Sequence, residues 1–269
     1  MKKIKVMKQA SLLSMILMLA SGVYSQNTVD LNAFQLRVFG GVNHAIPMGE
    51  GVDEWKDDIE DDLEYYEDDD NYDMDIAKGG VYGRTGFHLG LRVDYALSYV
   101  LGVYSSLSYS QKGWTASEHI EGTFEDAYYY GYYGDQLDFM SRNELKVTLD
   151  YLDLPIGMSF KLSENVHVFG GILTSFLLSD DDNVEWEYEI ESWDGTSFEN
   201  DDVEDFDDYF GEDLEKRLSG YQLGIDYIQG NMSISLKMNK NSPFGEVNYS
   251  DNNDDWSNLT FQVSAGISL

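Results

Sequence analysis

Apolar and polar residues alternate with a period of two through much of the chain, most cleanly at its end. From Asn258 to Leu269, the residues Leu259, Phe261, Val263, Ala265, Ile267 and Leu269 stand between Thr260, Gln262, Ser264, Gly266 and Ser268. Successive side chains of a strand point to opposite faces, so this segment predicts a strand with one apolar and one small polar face. Seven earlier segments predict the same: 35–43, 85–95, 100–111, 149–161, 166–178, 219–227 and 232–239. In 85–95, for example, Phe87, Leu89, Leu91, Val93 and Tyr95 oppose His88, Gly90, Arg92 and Asp94. The segment 166–178 alternates less well, because Phe169, Leu173 and Leu177 share the parity of His167, Gly171 and Ser175.

The connections alternate too. Short ones (Leu97-Ser98-Tyr99, Ser163-Glu164-Asn165, Gln229-Gly230-Asn231) separate the long ones at 48–84, 112–146, 179–218 and 240–257. This rhythm predicts an all-β fold, an eight-stranded antiparallel up-and-down transmembrane β-barrel with short periplasmic turns and long acidic extracellular loops. A water-soluble barrel of the lipocalin type is the alternative, but it would turn its apolar face inward. Here the polar parity is rich in Gly and Ser, which suits a narrow, crowded lumen. Beyond the leader no run of about 18 apolar residues occurs, so a spanning structure has to be a closed sheet.

The leader is residues 1–25: a basic start (Lys2, Lys3, Lys5, Lys8), an apolar core at Leu12–Ala20, and small residues at Val23-Tyr24-Ser25. It reads as a secretory signal peptide ahead of a single barrel domain, 26–269. No cysteine is present, which excludes a lipoprotein anchor and disulfides.

Charge changes the picture of the loops. The chain of 269 residues carries a formal charge of −33. Such an acidic chain is a poor partner for nucleic acid, whose binding depends on Lys and Arg displacing counterions. Of the 50 carboxylates, only Asp30, Asp94, Asp150, Asp153, Glu164 and Asp226 lie outside the four long connections. The acidic runs are interleaved with aromatics such as Tyr65, Tyr66, Trp186, Tyr188 and Trp193, more than purely solvating disorder would carry, so part of the loops is expected to pack over the barrel mouth. No cofactor is expected, and the one candidate ligand for the acidic loops is Ca²⁺, which takes carboxylate oxygens. Asp69, Asn71 and Asp73, and again Asp251, Asn253 and Asp255, have the opening spacing of a calcium loop. Both sets lack its glycine at position six, where Met74 and Trp256 stand, and its final Glu, where Gly80 and Gln262 stand. A solvated anionic surface explains the same residues. The run Tyr128–Gly134 offers an adaptable contact surface or an aromatic collar.

Strand parity sends Arg37, Arg92, Lys161 and Lys237 inward with Asp94, Asp153 and Asp226. Charges are tolerated in such a lumen only when paired or wet. Strand direction collects Arg37, Arg92, Asp94, Lys161 and Asp226 toward the periplasmic end, so an ion-pair plug is expected there. Eight strands enclose an interior just wide enough for side chains to fill. For catalysis the sequence offers little: His44 and His119 lie in or beside acidic loops, His88 and His167 point inward at opposite ends, and no nucleophile motif stands out. No enzymatic activity is expected.

The segments Tyr109-Ser110-Gln111-Lys112-Gly113, Leu149-Asp150-Tyr151-Leu152-Asp153-Leu154-Pro155 and Val168-Phe169-Gly170-Gly171 resemble the PorT-like outer-membrane β-barrel family. A proline within a strand removes a ladder hydrogen bond, which makes the Tyr-Leu-Asp-Leu-Pro segment the most specific part. The resemblance implies an outer-membrane barrel of a Gram-negative bacterium in a family whose namesake takes part in protein secretion. It also implies outer-membrane lipid as a partner. The functional expectation is a binding or structural barrel whose acidic, aromatic loops meet an external ligand or another envelope protein. An accessory subunit of a secretion or uptake complex is the alternative, and an outer-membrane enzyme the third.

Overall fold

The computed structural model describes residues 34–68, 72–124, 137–179, 184–191, 197–204, 216–243, 245–247 and 254–269. The expected signal peptide lies outside them, as do the Tyr128–Gly134 run and Asp69, Asn71, Asp251 and Asn253.

The eight alternating segments all form strands, and three more strands lie in the long connections: β1 (Phe34–Met48), β2 (Tyr72–Ala96), β3 (Leu101–Phe124), β4 (Leu137–Lys161), β5 (Val166–Ser179), β6 (Val184–Glu191), β7 (Ser197–Glu204), β8 (Arg217–Gln229), β9 (Met232–Asn241), β10 (Gly245–Val247) and β11 (Asp254–Ser268), of which β6, β7 and β10 are the three additions. One helix, α1 (Glu50–Asp68), follows β1. Antiparallel pairing runs β1-β2-β3-β4-β5-β8-β9-β11 and closes from β11 back onto β1, with Arg37 opposite Ser268 and Met48 opposite Ser257. Closure leaves this ring no open edge. The apolar parity faces outward as expected: Leu89, Leu91, Leu107, Ile156, Ile172, Leu223, Ile234, Val263 and Ile267 are all exposed. In water that belt would be untenable, whereas against hydrocarbon it is the favourable solvent contact.

Pro155 sits inside β4. The β3–β4 ladder passes from Ser105 opposite Ile156 to Ser108 opposite Asp153, skipping the residues between, while the β4–β5 ladder continues through Pro155 opposite Leu173. The missing N–H therefore falls on the β3 side.

The long connections differ from the expectation of loops. A strand needs about 9–11 residues to cross a bilayer. β2, β3 and β4 have 25, 24 and 25. The segment 48–84 holds α1 and the first half of β2, 112–146 holds the end of β3 and the start of β4, and 179–218 holds the β6–β7 hairpin. Beyond the point where β5 ends, opposite Asp150, β6 takes its place beside β4, with Val184 opposite Val147. The result is a five-stranded extension, β2-β3-β4-β6-β7, rising above the barrel.

The physical reason lies in a reversal of polarity along single strands. Below the membrane surface β3 turns Ser106, Ser108 and Ser110 inward and Leu107 outward. Above it the same parity carries Trp114, Ala116 and Ile120 inward, while Ser117, His119 and Glu121 face out. β4 repeats this, with buried Asp153 below and buried Leu149, Val147 and Leu145 above. Once water replaces lipid outside, the apolar residues must turn inward, and the rule that identified the spans no longer finds the strand. The change of level is marked by a bulge between Gly83 and His88 of β2 and another opposite Asp150/Tyr151, where Leu178 is the extra residue on β5. Gly113 lies at this level with φ +151°, and a Cβ there would come within 2.0 Å of the Val147 carbonyl oxygen. Bulges re-aim the strand that carries them.

Candidate functional site: a filled lumen beneath a capped mouth

The lowest lumen layer is built from β1, β2 and β8. Arg37 and Arg92 are directly opposite one another in the β1–β2 register. Two like charges so placed repel, and two carboxylates offset the repulsion. Asp226 accepts from Arg37 at 3.2 Å and lies 3.0 Å from Arg92, while Asp94 lies 2.8 Å from Arg92 and 3.7 Å from Arg37. Ser235 Oγ donates to the other oxygen of Asp226 at 2.5 Å. The Arg92 guanidinium also lies over both Tyr104 and Phe169, 4.5 and 4.3 Å from their ring centres. The three members Arg37, Arg92 and Asp226 are at most 3% exposed. Four of the five residues expected at this end thus meet. Lys161 does not: as the last residue of β4, beside the turn, it is exposed and reaches water rather than the cluster.

The middle layer is polar and close-packed. Tyr104 donates to Gln222 at 3.3 Å, Gln222 to Asn239 at 2.9 Å, and Asn43 to Ser110 at 3.0 Å. Lys112 pairs with Asp153 at 3.0 Å, and Ser175 donates to the same carboxylate oxygen at 2.5 Å. Lys237 lies over the Phe39 ring at 3.7 Å. His88, 2% exposed, packs near the same ring.

The upper layer is apolar. Val52 and Trp55 of α1 meet Trp256 of β11 and Trp114 of β3, the Trp114–Trp256 and Trp55–Trp256 ring centres lying 5.0 and 5.5 Å apart. Ala116, Leu145, Val147, Leu149, Tyr151, Val184 and Leu218 complete the cluster, all at most 5% exposed. α1 is amphipathic: Val52, Trp55, Ile59, Leu63 and Tyr66 recur at three- and four-residue spacing on its packed side, and Asp53, Asp57, Asp58, Asp61 and Asp62 are exposed. Gly79 allows the approach, since a Cβ there would lie 2.6 Å from Ile59. Glu50 and Asp53 in the first turn complement the positive end of the helix dipole.

Between α1 and the β3–β4 extension runs an acidic groove of about 470 Å³, lined by Trp55, Asp58, Asp62, Glu118, Asn143 and Leu145 among others. Burial pushes the Glu118 carboxyl above its ordinary range, with the Asp62 charge adding to the effect. On the outward face of the extension a ladder of opposite charges forms: Arg142 with Glu144 at 3.3 Å, and Lys146 with Glu187 at 2.5 Å.

Of the six calcium-loop candidates, Asp73 lies in β2 opposite Thr123 and Asp255 in β11 opposite Glu246. The rest of each twelve-residue window, 72–80 and 254–262, is extended strand rather than a loop that wraps an ion. His44 bonds Thr85 at 3.1 Å, His119 lies 3.9 Å from Glu121, and His167 is opposite Asp226 at the lower end. Lys112, Trp114 and Trp256 carry the middle and upper layers without having stood out in the sequence. The signal was present in the parity of β3, which continues from Ser110 to Lys112 and Trp114, and in the helical spacing of α1.

Residues 24–269 match the family model described as outer membrane protein beta-barrel domain. No curated protein matches the sequence. Among solved structures, the attachment invasion locus protein Ail of Yersinia pestis aligns at 13% identity and TM-score 0.36, over 89% of this chain and 100% of its own. OprG of Pseudomonas aeruginosa aligns at 11% identity and TM-score 0.35, over 88% and 96%. Neisserial surface protein A aligns at 11% and 0.33, over 87% and 97%.

Proposed function

The chain belongs to the outer membrane protein beta-barrel domain family, and from that premise we propose that it is a closed, non-enzymatic barrel that holds an acidic extracellular cup at the cell surface for binding. The observation that carries this reading is the reversal of polarity in β2–β4: outside the membrane the chain builds a second core under α1 and dresses its outer side with charge, as a water-exposed recognition module would. A mere tether between spans would need neither the buried tryptophans nor the helix. The ligand is an external molecule or another envelope protein, and the groove and the Glu185, Glu187 and Glu189 face favour a cationic one.

The lower ion-pair layer serves as a plug. His44 is hydrogen-bonded to Thr85 and His88 is buried in the wall, which supports the non-enzymatic reading. The Leu149–Pro155 segment supports placing the chain with PorT-like members, and with it a second reading as an accessory subunit of a secretion or uptake complex.

The test is capture of envelope extracts and of basic peptides by detergent-purified protein, compared with a variant carrying Glu185→Gln, Glu187→Gln and Glu189→Gln. Loss of salt-sensitive capture in the variant supports the binding reading; a stoichiometric envelope partner retained by both forms favours the subunit. In planar bilayers the intact chain should be electrically silent, and a steady open pore would refute the plug.

A further inference from the structure

The interior charges do not balance. Arg37 and Arg92 share Asp94 and Asp226, and Lys112 takes Asp153. Lys237, 7% exposed, makes no ion pair among the described residues and has only the face of Phe39 beneath it. Two further buried groups belong to the same part of the lumen. His88, on β2, has no hydrogen-bond partner at either ring nitrogen, and Ser264, on β11, has none at Oγ; both are 2% exposed. The registers bring them together: Gly41 of β1 is opposite His88 on one side and Ser264 on the other, and Ser264 is opposite Ser235, the inward neighbour of Lys237 on β9. Gly41 contributes no side chain between them. Lys237 and Asp153 are the two charges that act on His88.

Lys237, without an ion pair among the described residues, and His88 and Ser264, without hydrogen-bond partners, are thus buried on neighbouring strands of one interior, and unpaired polar groups and charges are costly away from water. We propose that Lys237, His88 and Ser264 form an internal site for a small monovalent anion of the halide type, held above Phe39 by the ammonium, one imidazole N–H and the serine hydroxyl. Two carboxylates limit the charge: Asp226 and Asp153 both act on Lys237, and Asp153 acts on His88 as well, so a divalent oxyanion is disfavoured where a single negative charge completes the balance. Because the ion-pair layer lies below and the tryptophan cluster above, the ion is taken up as the barrel folds and exchanges slowly afterwards.

The experiment is to refold the full chain into detergent in sodium chloride, sodium bromide or sodium gluconate at equal ionic strength, and to follow the loss of the heat-resistant gel form. In the intact protein the midpoint should rise with halide concentration and saturate, with gluconate giving no such rise. Lys237→Met and, separately, Ser264→Ala should remove or weaken the halide response. The serine variant covers the case in which the lysine variant does not fold. Crystals grown in bromide should show an anomalous peak among the three side chains. Stability indifferent to the anion, or bromide crystals without that peak, would mean that water alone fills the space and would overturn the proposal.

Discussion

Ser108 and Trp114 lie on one strand and face one interior, yet they belong to two different kinds of protein. Around Ser108 the barrel is bounded by lipid, so its outer wall is apolar and its interior is held by hydrogen bonds and ion pairs such as Lys112–Asp153. Around Trp114 the boundary is water, so the outer wall carries Arg142, Glu144, Lys146 and Glu187 while the interior is Trp, Val and Leu. The solvent on the far side of the wall, not the strand itself, decides which parity is buried. The lower region is consequently locked by directional contacts and the upper by area, and the two should fail differently.

The largest effect is expected from Asp226→Ala. It leaves Arg37 and Arg92 side by side with Asp94 alone between them, and removing one partner from a buried ion pair costs about 3–5 kcal/mol. The heat-resistant gel form should be lost at markedly lower temperature and current fluctuations should appear in bilayers, with α1 still docked. Leu149→Ala, at a fully buried position of the upper cluster, should cost about 2–5 kcal/mol for lost burial and the cavity left behind. Its effect should appear as faster proteolysis near α1, with the gel shift intact. If both variants lowered the two readouts together, the regions would be one cooperative unit and the comparison would break.

A smaller effect is expected where the regions join. Gly113→Ala meets both a positive φ and the Val147 carbonyl, and strain of this kind costs on the order of 1–3 kcal/mol. Because the bulge level belongs to both regions, this variant should lower both readouts modestly, and an effect on only one would show which region sets the bend.

These two regions were not equally legible in the sequence. The ring of strands, the short turns, the outward belt and the meeting of Arg37, Arg92, Asp94 and Asp226 follow from a two-residue period read against lipid. The strand ends above Gln111 and below Leu149 were hidden, because past them Trp114 and Val147 occupy the parity that serine and aspartate hold below. A search for an outward apolar face has to stop there. α1 was hidden for another reason: its carboxylates dominate composition, and the stripe Val52, Trp55, Ile59, Leu63 emerges only at a period near 3.6. Lys161 shows the converse limit, since parity gives the direction of a side chain but not how near it stands to the end of the wall.

The smallest effect sharpens the upper region alone and concerns pH. Glu118 faces α1 from β3, and the groove around it brings Asp58, Asp61 and Asp62 from the helix, with Asn143 and Leu145 from β4. Burial and the Asp62 charge hold its carboxyl above the ordinary value of 4.5. The docked state therefore binds the proton more tightly than a state in which α1 has swung away. The sign follows from linkage: above the raised pKa the charged group carries a constant penalty, the penalty is relieved as pH falls through the raised value, and below 4.5 nothing further is gained. Acidification over that window should tighten the docking of α1, seen as slower amide exchange in Glu50–Asp68 once intrinsic rates are corrected. Glu118→Gln keeps the shape and removes the charge, so it should show the tight docking already at neutral pH and lose that part of the pH dependence. If exchange in α1 instead quickens on acidification in both forms, the helix is held by ion pairs rather than by the apolar stripe, and the contrast between the two regions would not hold.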